Sequence, residues 1–242
     1  WGGGIMVGWG VMDFAGGIVV HATAGTAALV CAVMVGKRRH FPQSQIPPHN
    51  PALTMIGASM LWVGWFGFNG GSALGAGGGA GMALLVTHIA AATASLVWMG
   101  IEWMRFGRPS LVGIVTGMVA GLATVTPASG FIGVPGGLAL GLAGGFGCYI
   151  AVDIIRGKLK IDDSLDVFAV HGVGGIIGSL LVAFLALPRF GGLGLANGVS
   201  ASSQFMVQLA SVAITVAWTL VVSMIILMLA KGVAGLRVDD QT

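Results

Sequence analysis

The chain has 242 residues, of which 56% are hydrophobic and 8% charged; its net charge is +3 and its mean hydropathy is +0.95. An average soluble domain carries about 25% charged residues, so this composition excludes an ordinary water-soluble fold. The basic residues occur in short clusters between apolar runs, which argues against a nucleic-acid-binding surface and for a membrane protein.

Seven apolar segments meet the length of about 20 residues that a helix needs to cross a bilayer. None of them alternates with the period of two that is typical of a transmembrane barrel strand. The sequence therefore predicts an all-α, polytopic transmembrane bundle. The segments lie at approximately 10–35, 51–69, 77–104, 110–126, 135–156, 166–188 and 205–234.

The basic residues favour one side of this topology, because ten of the eleven Lys and Arg residues fall on the same face and only Arg189 falls on the other. Such a bias is typical of cytoplasmic loops. We expect the N-terminal end of the chain to lie outside and the C-terminus, including the start of a tail at 235–242, to be cytoplasmic. The ten residues are Lys37, Arg38, Arg39, Arg105, Arg108, Arg156, Lys158, Lys160, Lys231 and Arg237.

Two predicted spans of opposite direction each carry an acidic residue followed by a histidine. Asp13 precedes His21 by eight residues, or roughly 12 Å of helix, and Asp166 precedes His171 by five, or about 7 Å. Ionisable groups within spans are functional candidates because their burial in lipid is costly. Antiparallel halves that share a site near the midplane are typical of inverted-repeat transporters.

A pair of imidazoles suits a dry passage, because a neutral ring offers one donor and one acceptor and can pass on a proton. The structural alternative is that each histidine only bonds a backbone carbonyl, and this is our interpretation of His88, which lacks such a partner pattern. A further alternative is ligation of a haem by the two histidines.

An aromatic stretch, Gly64–Asn69, closes the second predicted span and is followed by Ser72. Aromatic residues at this depth are commonly part of the belt at the membrane interface. Packing of Trp65 and Phe68 with glycine also permits an aromatic constriction that binds a cation through its ring faces. The residues alone favour the belt.

These segments together resemble the Amt/Mep/Rh ammonium transporters, and most closely the bacterial Amt branch. The resemblance extends in order along essentially the whole chain. The segments that carry it are Asp13–Gly17 with Val20-His21, Gly64–Asn69 with Gly71-Ser72, Arg108–Ser110, Asp166–Phe168 with His171-Gly172, and Gly235–Val238.

The resemblance implies an inverted-repeat fold of eleven helices, of which residues 1–242 would form helices five to eleven, with the upstream helices missing from this chain. His21 and His171 match the paired pore histidines, and Phe68 matches one ring of a phenylalanine gate, with Trp65 and Asp166 in support. Trp1 and Ser72 match a vestibule that recruits ammonium, and Asp13 matches the acidic residue behind it.

The resemblance also implies a transporter, not an enzyme, that has no cofactor and forms a homotrimer in the inner (plasma) membrane. Ammonium or ammonia would be its substrate, with methylammonium as an analogue, and a PII-family signalling protein would bind its cytoplasmic face. Ammonium would be deprotonated outside the pore, and the histidines would relay the proton. An ammonium sensor and an Rh-like gas channel remain alternatives.

Overall fold

The computed structural model describes residues 3–42 and 48–238, which form helices and no strand. The all-α prediction is therefore confirmed, and a helix is found in each of the seven predicted segments. Six of these helices are long and apolar enough to cross a membrane, whereas α4 has only 15 residues. The helices are α1 (Gly17–Val35), α2 (Pro51–Gly71), α3 (Gly78–Phe106), α4 (Leu111–Val125), α5 (Val134–Lys158), α6 (Phe168–Leu185) and α7 (Ala201–Ala234).

Side-chain caps define the beginnings of three helices. The Asn50 carboxamide accepts the Leu53 N–H before α2, and the Ser110 hydroxyl accepts the Gly113 N–H before α4. Ser200 and Ser203 form a reciprocal capping box at the beginning of α7. Each cap satisfies amide groups that have no partner within the first turn.

Helices α3, α4 and α5 form the most closely packed part of the bundle. A Cβ atom at Gly117 would meet the Ala94 carbonyl at 2.8 Å, and one at Gly141 would meet the Ala90 carbonyl at 2.8 Å. Glycine is therefore required where these backbones approach each other. Small residues at helix interfaces are the usual means of close packing in lipid, where apolar burial does not drive helix association.

Helices α1 and α6 pack directly against each other, and each begins with a π-helical turn, at Gly17–Ala22 and Phe168–Gly172. In both helices, an amide bonds the carbonyl five residues earlier: Thr23 bonds Ile18, and Val173 bonds Phe168. Such π-turns are rare in proteins, and those that do occur are often at functional sites. The two helices thus share an unusual geometry at equivalent positions.

The interhelical loops contact one another at both ends of the bundle. At one end, the Leu193 N–H donates to the Phe131 carbonyl at 3.0 Å. At the other, Arg38 bonds Asp162 and the Arg237 guanidinium donates to the Lys37 carbonyl at 2.6 Å. This second end carries the basic loops, in agreement with their predicted location on one face.

Candidate functional site

The two predicted histidines meet where α1 and α6 cross. The Nδ1 atoms of His21 and His171 are 3.2 Å apart, and their ring centroids are 5.2 Å apart. The side chains come from residues 150 positions apart in the sequence. His21 is buried, with 3% of its surface exposed, and His171 is partly buried.

This contact determines how protons are distributed on the two rings. In a neutral pair, one Nδ1 must carry a proton and the other must accept it, so the ring that accepts carries its own proton on Nε2. The donating ring then has an unprotonated Nε2. His21 Nε2 has no hydrogen-bond partner in the described part of the chain. The pair thus offers one donor and one acceptor to a neutral guest molecule.

Aromatic rings surround the histidines. The Trp65 indole is nearly parallel to the His21 ring, with centroids 5.3 Å apart and an interplanar angle of 12°. The Phe68 ring meets the His21 ring edge-on at 6.1 Å. Trp65 is only 6% exposed, and its Nε1 donates to Thr126 Oγ1 at 2.9 Å. The belt interpretation is therefore wrong for Trp65, because this indole lies inside the protein.

These rings line a cavity of about 420 Å³ whose walls are predominantly apolar. Val20 and Leu61 are 41% and 45% exposed, so the cavity is open along one side of the chain. Among the described residues that line it, only the histidines and Trp65 have polar side-chain atoms. The lining residues are Val20, His21, Ala24, Leu61, Gly64, Trp65, Phe68, Val167 and His171.

An aspartate caps the beginning of each histidine helix. The Asp13 carboxylate accepts the N–H groups of Gly17, Ile18 and Val19 at 2.6, 3.0 and 3.2 Å. At the equivalent turn of α6, one carboxylate accepts three consecutive amides at 2.9, 2.8 and 3.3 Å. That carboxylate belongs to Asp163, which precedes His171 by the same eight residues.

The sequence-based pairing of Asp166 with His171 therefore named the wrong aspartate as the counterpart of Asp13. Asp166 instead forms an ion pair with Arg156 at 3.1 Å. A capping carboxylate reaches amides four to six residues ahead, and Asp166 is too close to the amides of α6 to occupy that position. Among Asp162, Asp163 and Asp166, spacing to the histidine distinguishes the cap.

Two glycines permit the crossing of α1 and α6. Gly25 and Gly175 each follow a histidine by four residues. A Cβ atom at Gly175 would lie 2.7 Å from the Cβ of His21, and one at Gly25 would overlap the backbone of Gly172. Each glycine thus creates the space in which the opposite helix, with its histidine turn, can pack.

Two other residues named from the sequence, Ser72 and His88, are not among those that line the cavity. The Ser72 hydroxyl donates to the Phe68 carbonyl at 2.7 Å, at the end of α2. Trp1 lies outside the described residues. His88 is exposed, and its ring stacks on Trp62 with centroids 5.2 Å apart.

Sequence reasoning missed Asp163, Gly25, Gly175 and Thr126. The first three have a signal in the sequence, because the pattern Asp-x7-His-x3-Gly occurs twice, at Asp13–Gly25 and Asp163–Gly175. Thr126 has no comparable signal. Its contact with Trp65 depends on the packing of α4 against α2.

Residues 1–242 match the model of the Ammonium Transporter Family. Ammonium transporter Amt1 of Archaeoglobus fulgidus is 49% identical over 242 residues, which are 100% of this chain and 61% of that protein. An ammonium transporter of Aquifex aeolicus is 43% identical, over 100% of this chain and 56% of that protein.

Solved structures of an Amt protein and of Mep2 are also similar to this chain. One named Sensor Amt Protein has a TM-score of 0.91 at 35% identity, over 98% of this chain and 59% of that one. Saccharomyces cerevisiae Mep2 has a TM-score of 0.87 at 36% identity, over 98% of this chain and 56% of that one. The chain therefore spans somewhat more than half the length of the proteins that it matches.

Proposed function

The chain belongs to the ammonium transporter family, and its relatives in Archaeoglobus fulgidus and Aquifex aeolicus are named ammonium transporters, not enzymes. We propose that it provides the histidine-lined half of a transmembrane ammonium pathway. The observation that carries this proposal is the 3.2 Å contact between His21 and His171 at an apolar cavity. In the whole protein, segments beyond this chain would close the side of the cavity at which Val20 and Leu61 are exposed.

The cavity favours a neutral guest over an ion. An isolated cation in apolar surroundings carries a large desolvation cost, whereas a small polar molecule with hydrogen-bond partners does not. Ammonium would release a proton before entry, and ammonia would pass along the histidine pair. The rings would solvate ammonia and relay the proton, because each neutral imidazole can accept on one nitrogen and donate from the other. Potassium would be rejected because it has no proton to release.

Recruitment would take place on the outer side of the cavity, through Trp1 and the oxygen of Ser72 with Phe68 as the gate. Ring faces attract cations electrostatically. The Asp13 carboxylate would act on recruitment through its negative charge, since its oxygens already accept three amides. Asp166 would support the inner end through its ion pair with Arg156.

The wider setting follows from the family and from the side on which the basic loops lie. The protein would be a homotrimer in the plasma membrane, with the N-terminal end of this chain outside and the tail inside. A PII-family signalling protein would bind the face formed by the loop at 37–50, of which 43–47 lie outside the described residues, by the stretch 156–163 and by the tail.

Uptake of labelled methylammonium by the full-length protein in proteoliposomes tests the proposal. We expect His21→Leu and His171→Leu to reduce uptake and ammonium-evoked current at least tenfold each, because either change removes the shared proton. His88→Leu is the matched control, since His88 lies on α3 outside the cavity and its loss should leave uptake unchanged. Equal effects of all three substitutions would contradict the proposal.

Two alternatives predict different results. The likeness to the Sensor Amt Protein allows a sensor that binds ammonium without moving it, and binding without uptake would indicate that function. Haem ligation between the two Nδ1 atoms would require about 4 Å between the nitrogens, given metal–nitrogen bonds of about 2 Å. The observed 3.2 Å is a direct hydrogen-bond distance and leaves no room for a metal between them.

A further inference from the structure

A glutamine of α7 lies beneath the outer segment that leads to the first histidine helix. Gln208 is fully buried, and its carboxamide makes four hydrogen bonds. Oε1 accepts the Met12 N–H at 2.8 Å and Gln204 Nε2 at 3.2 Å. Nε2 donates to the Met12 carbonyl at 2.7 Å and to the Ser179 carbonyl at 2.7 Å.

These four bonds use the full capacity of a carboxamide, which has two N–H donors and two acceptor positions on its oxygen. Gln208 thus holds both backbone groups of Met12, as a neighbouring β-strand would. Gln204 holds the preceding turn, because its Nε2 also donates to the Gly10 carbonyl at 3.0 Å. The segment 10–12 is therefore fixed to α7 by side chains.

The consequence for the site follows from what Gln208 joins. Met12 immediately precedes Asp13, whose carboxylate caps the turn that carries His21. Ser179 lies one turn beyond Gly175, the residue that packs against His21. Gln208 therefore connects the beginning of the first histidine helix with the body of the second.

On this basis we infer that Gln208 is a positioning residue for the histidine pair, acting through Met12 and Asp13 and not by contact with the substrate. Its role in transport rests on the proposed function, whereas its role in holding the turn does not. The chain contains an internal comparison, because within the described residues the hydrogen bonds of Gln208 go to Met12, Gln204 and Ser179 and none goes to the equivalent turn capped by Asp163.

Hydrogen–deuterium exchange of the full-length protein tests the inference. In Gln208→Met, we expect the amides of Gly17–Val19 to exchange at least tenfold faster than in the wild type. The amides of 167–169 should change less than twofold. Ser211→Ala is the matched control, since the Ser211 hydroxyl is buried on α7 without a hydrogen-bond partner in the described residues. Equal changes at the two turns, or none at either, would overturn the inference.

Methylammonium turnover per folded molecule supplies the second readout. We expect at least a tenfold loss in Gln208→Met, and wild-type turnover in Ser211→Ala. Wild-type turnover in Gln208→Met would overturn the role in transport. A wild-type protein without uptake would instead contradict the proposed function, and the exchange data would still decide whether Gln208 holds the turn. If Gln208→Met fails to assemble, Gln204→Met supplies a milder variant, because it removes only the bonds from Gln204 to the Gly10 carbonyl and to Gln208 Oε1. It should raise exchange at Gly17–Val19 by a smaller factor.

Discussion

Gly175 of α6 packs against His21 of α1 so closely that a Cβ atom at Gly175 would lie 2.7 Å from the Cβ of His21 and 2.6 Å from the Gly17 carbonyl. Neither neighbour is the far end of a flexible side chain. The spacing between the two histidine helices is therefore limited by the absence of a side chain at this position.

Gly175→Ala should separate α1 from α6 and lengthen the contact between His21 and His171. Overpacking of a close contact typically costs about 1–3 kcal/mol. We expect a loss of thermal stability, and at least a tenfold loss of methylammonium uptake per folded molecule. Gly100→Ala in α3 is the control, because a Cβ atom there would meet nothing within 4 Å. Normal uptake in Gly175→Ala would show that the helix spacing does not limit function.

Asp163→Ala should destabilise the beginning of α6 by about 1–2 kcal/mol, since three amides lose their acceptor. Asp13→Ala should have a similar effect at the beginning of α1, because the two caps have the same geometry. The free energy of unfolding, followed by chemical denaturation in detergent, measures both. Asp153→Ala should change it little, since Asp153 forms an exposed ion pair with Arg105. A larger effect of Asp153→Ala than of Asp163→Ala would contradict the capping role.

Trp65→Phe and Thr126→Val each remove the same hydrogen bond, from the indole nitrogen to the threonine hydroxyl. Each should cost about 1 kcal/mol, the usual net value of a buried neutral bond, plus the penalty for the group left unpaired. The double variant should cost less than the sum of the two, because the bond can be lost only once. A double-mutant cycle on thermal stability checks this expectation. Strict additivity would mean that the bond does not fix the indole.

Asp162 gives the loops at the basic end of the bundle a defined pH dependence. The Arg38 guanidinium, which bonds this carboxylate, lowers the pKa of Asp162 below its usual value. The pKa of Asp162 is therefore lower in the folded protein than in the unfolded chain, where it is about 3.9. The ionised carboxylate stabilises the folded protein above the unfolded pKa, and this stability is lost as the pH falls through the folded pKa. Arg38 is 49% exposed, so solvent screening limits the contribution to about 1 kcal/mol or less.

Exchange of the amides in 36–38, measured between pH 7 and pH 3 and corrected for intrinsic rates, should reveal this contribution. We expect protection in the wild type to fall below pH 4, while Asp162→Asn should show reduced protection throughout and little further change. An identical pH profile in both proteins would exclude the ion pair as the cause.

The seven helices and the meeting of His21 with His171 could be predicted from the sequence, because length, hydropathy and costly intramembrane histidines are local signals. The choice between Asp163 and Asp166 also had a local signal in the repeated spacing. The position of Trp65 did not, because an indole at a helix end is more typical of a membrane belt than of a buried site. Only the packing of α2 against α4, which supplies Thr126, distinguishes the two.

The Gln208 contacts could not be predicted for a similar reason. A glutamine in an apolar run can bond any nearby backbone, and its partners at Met12 are 196 residues away. Which carbonyls it bonds depends on how α7, α6 and the segment before α1 pack together. The bonds are therefore a product of tertiary structure, not of any pattern within α7.

The equivalence of the two histidine helices has a consequence for the proton between them. The first turns of the two helices have matching backbones. A single hydrogen cannot be bound to both Nδ1 atoms, so the proton distribution over the two rings is asymmetric. Two opposite proton arrangements are therefore available to the pair, with either His21 or His171 as the donor. A guest that takes a hydrogen from one ring and returns one to the other would reverse the polarity of the pair without moving either helix.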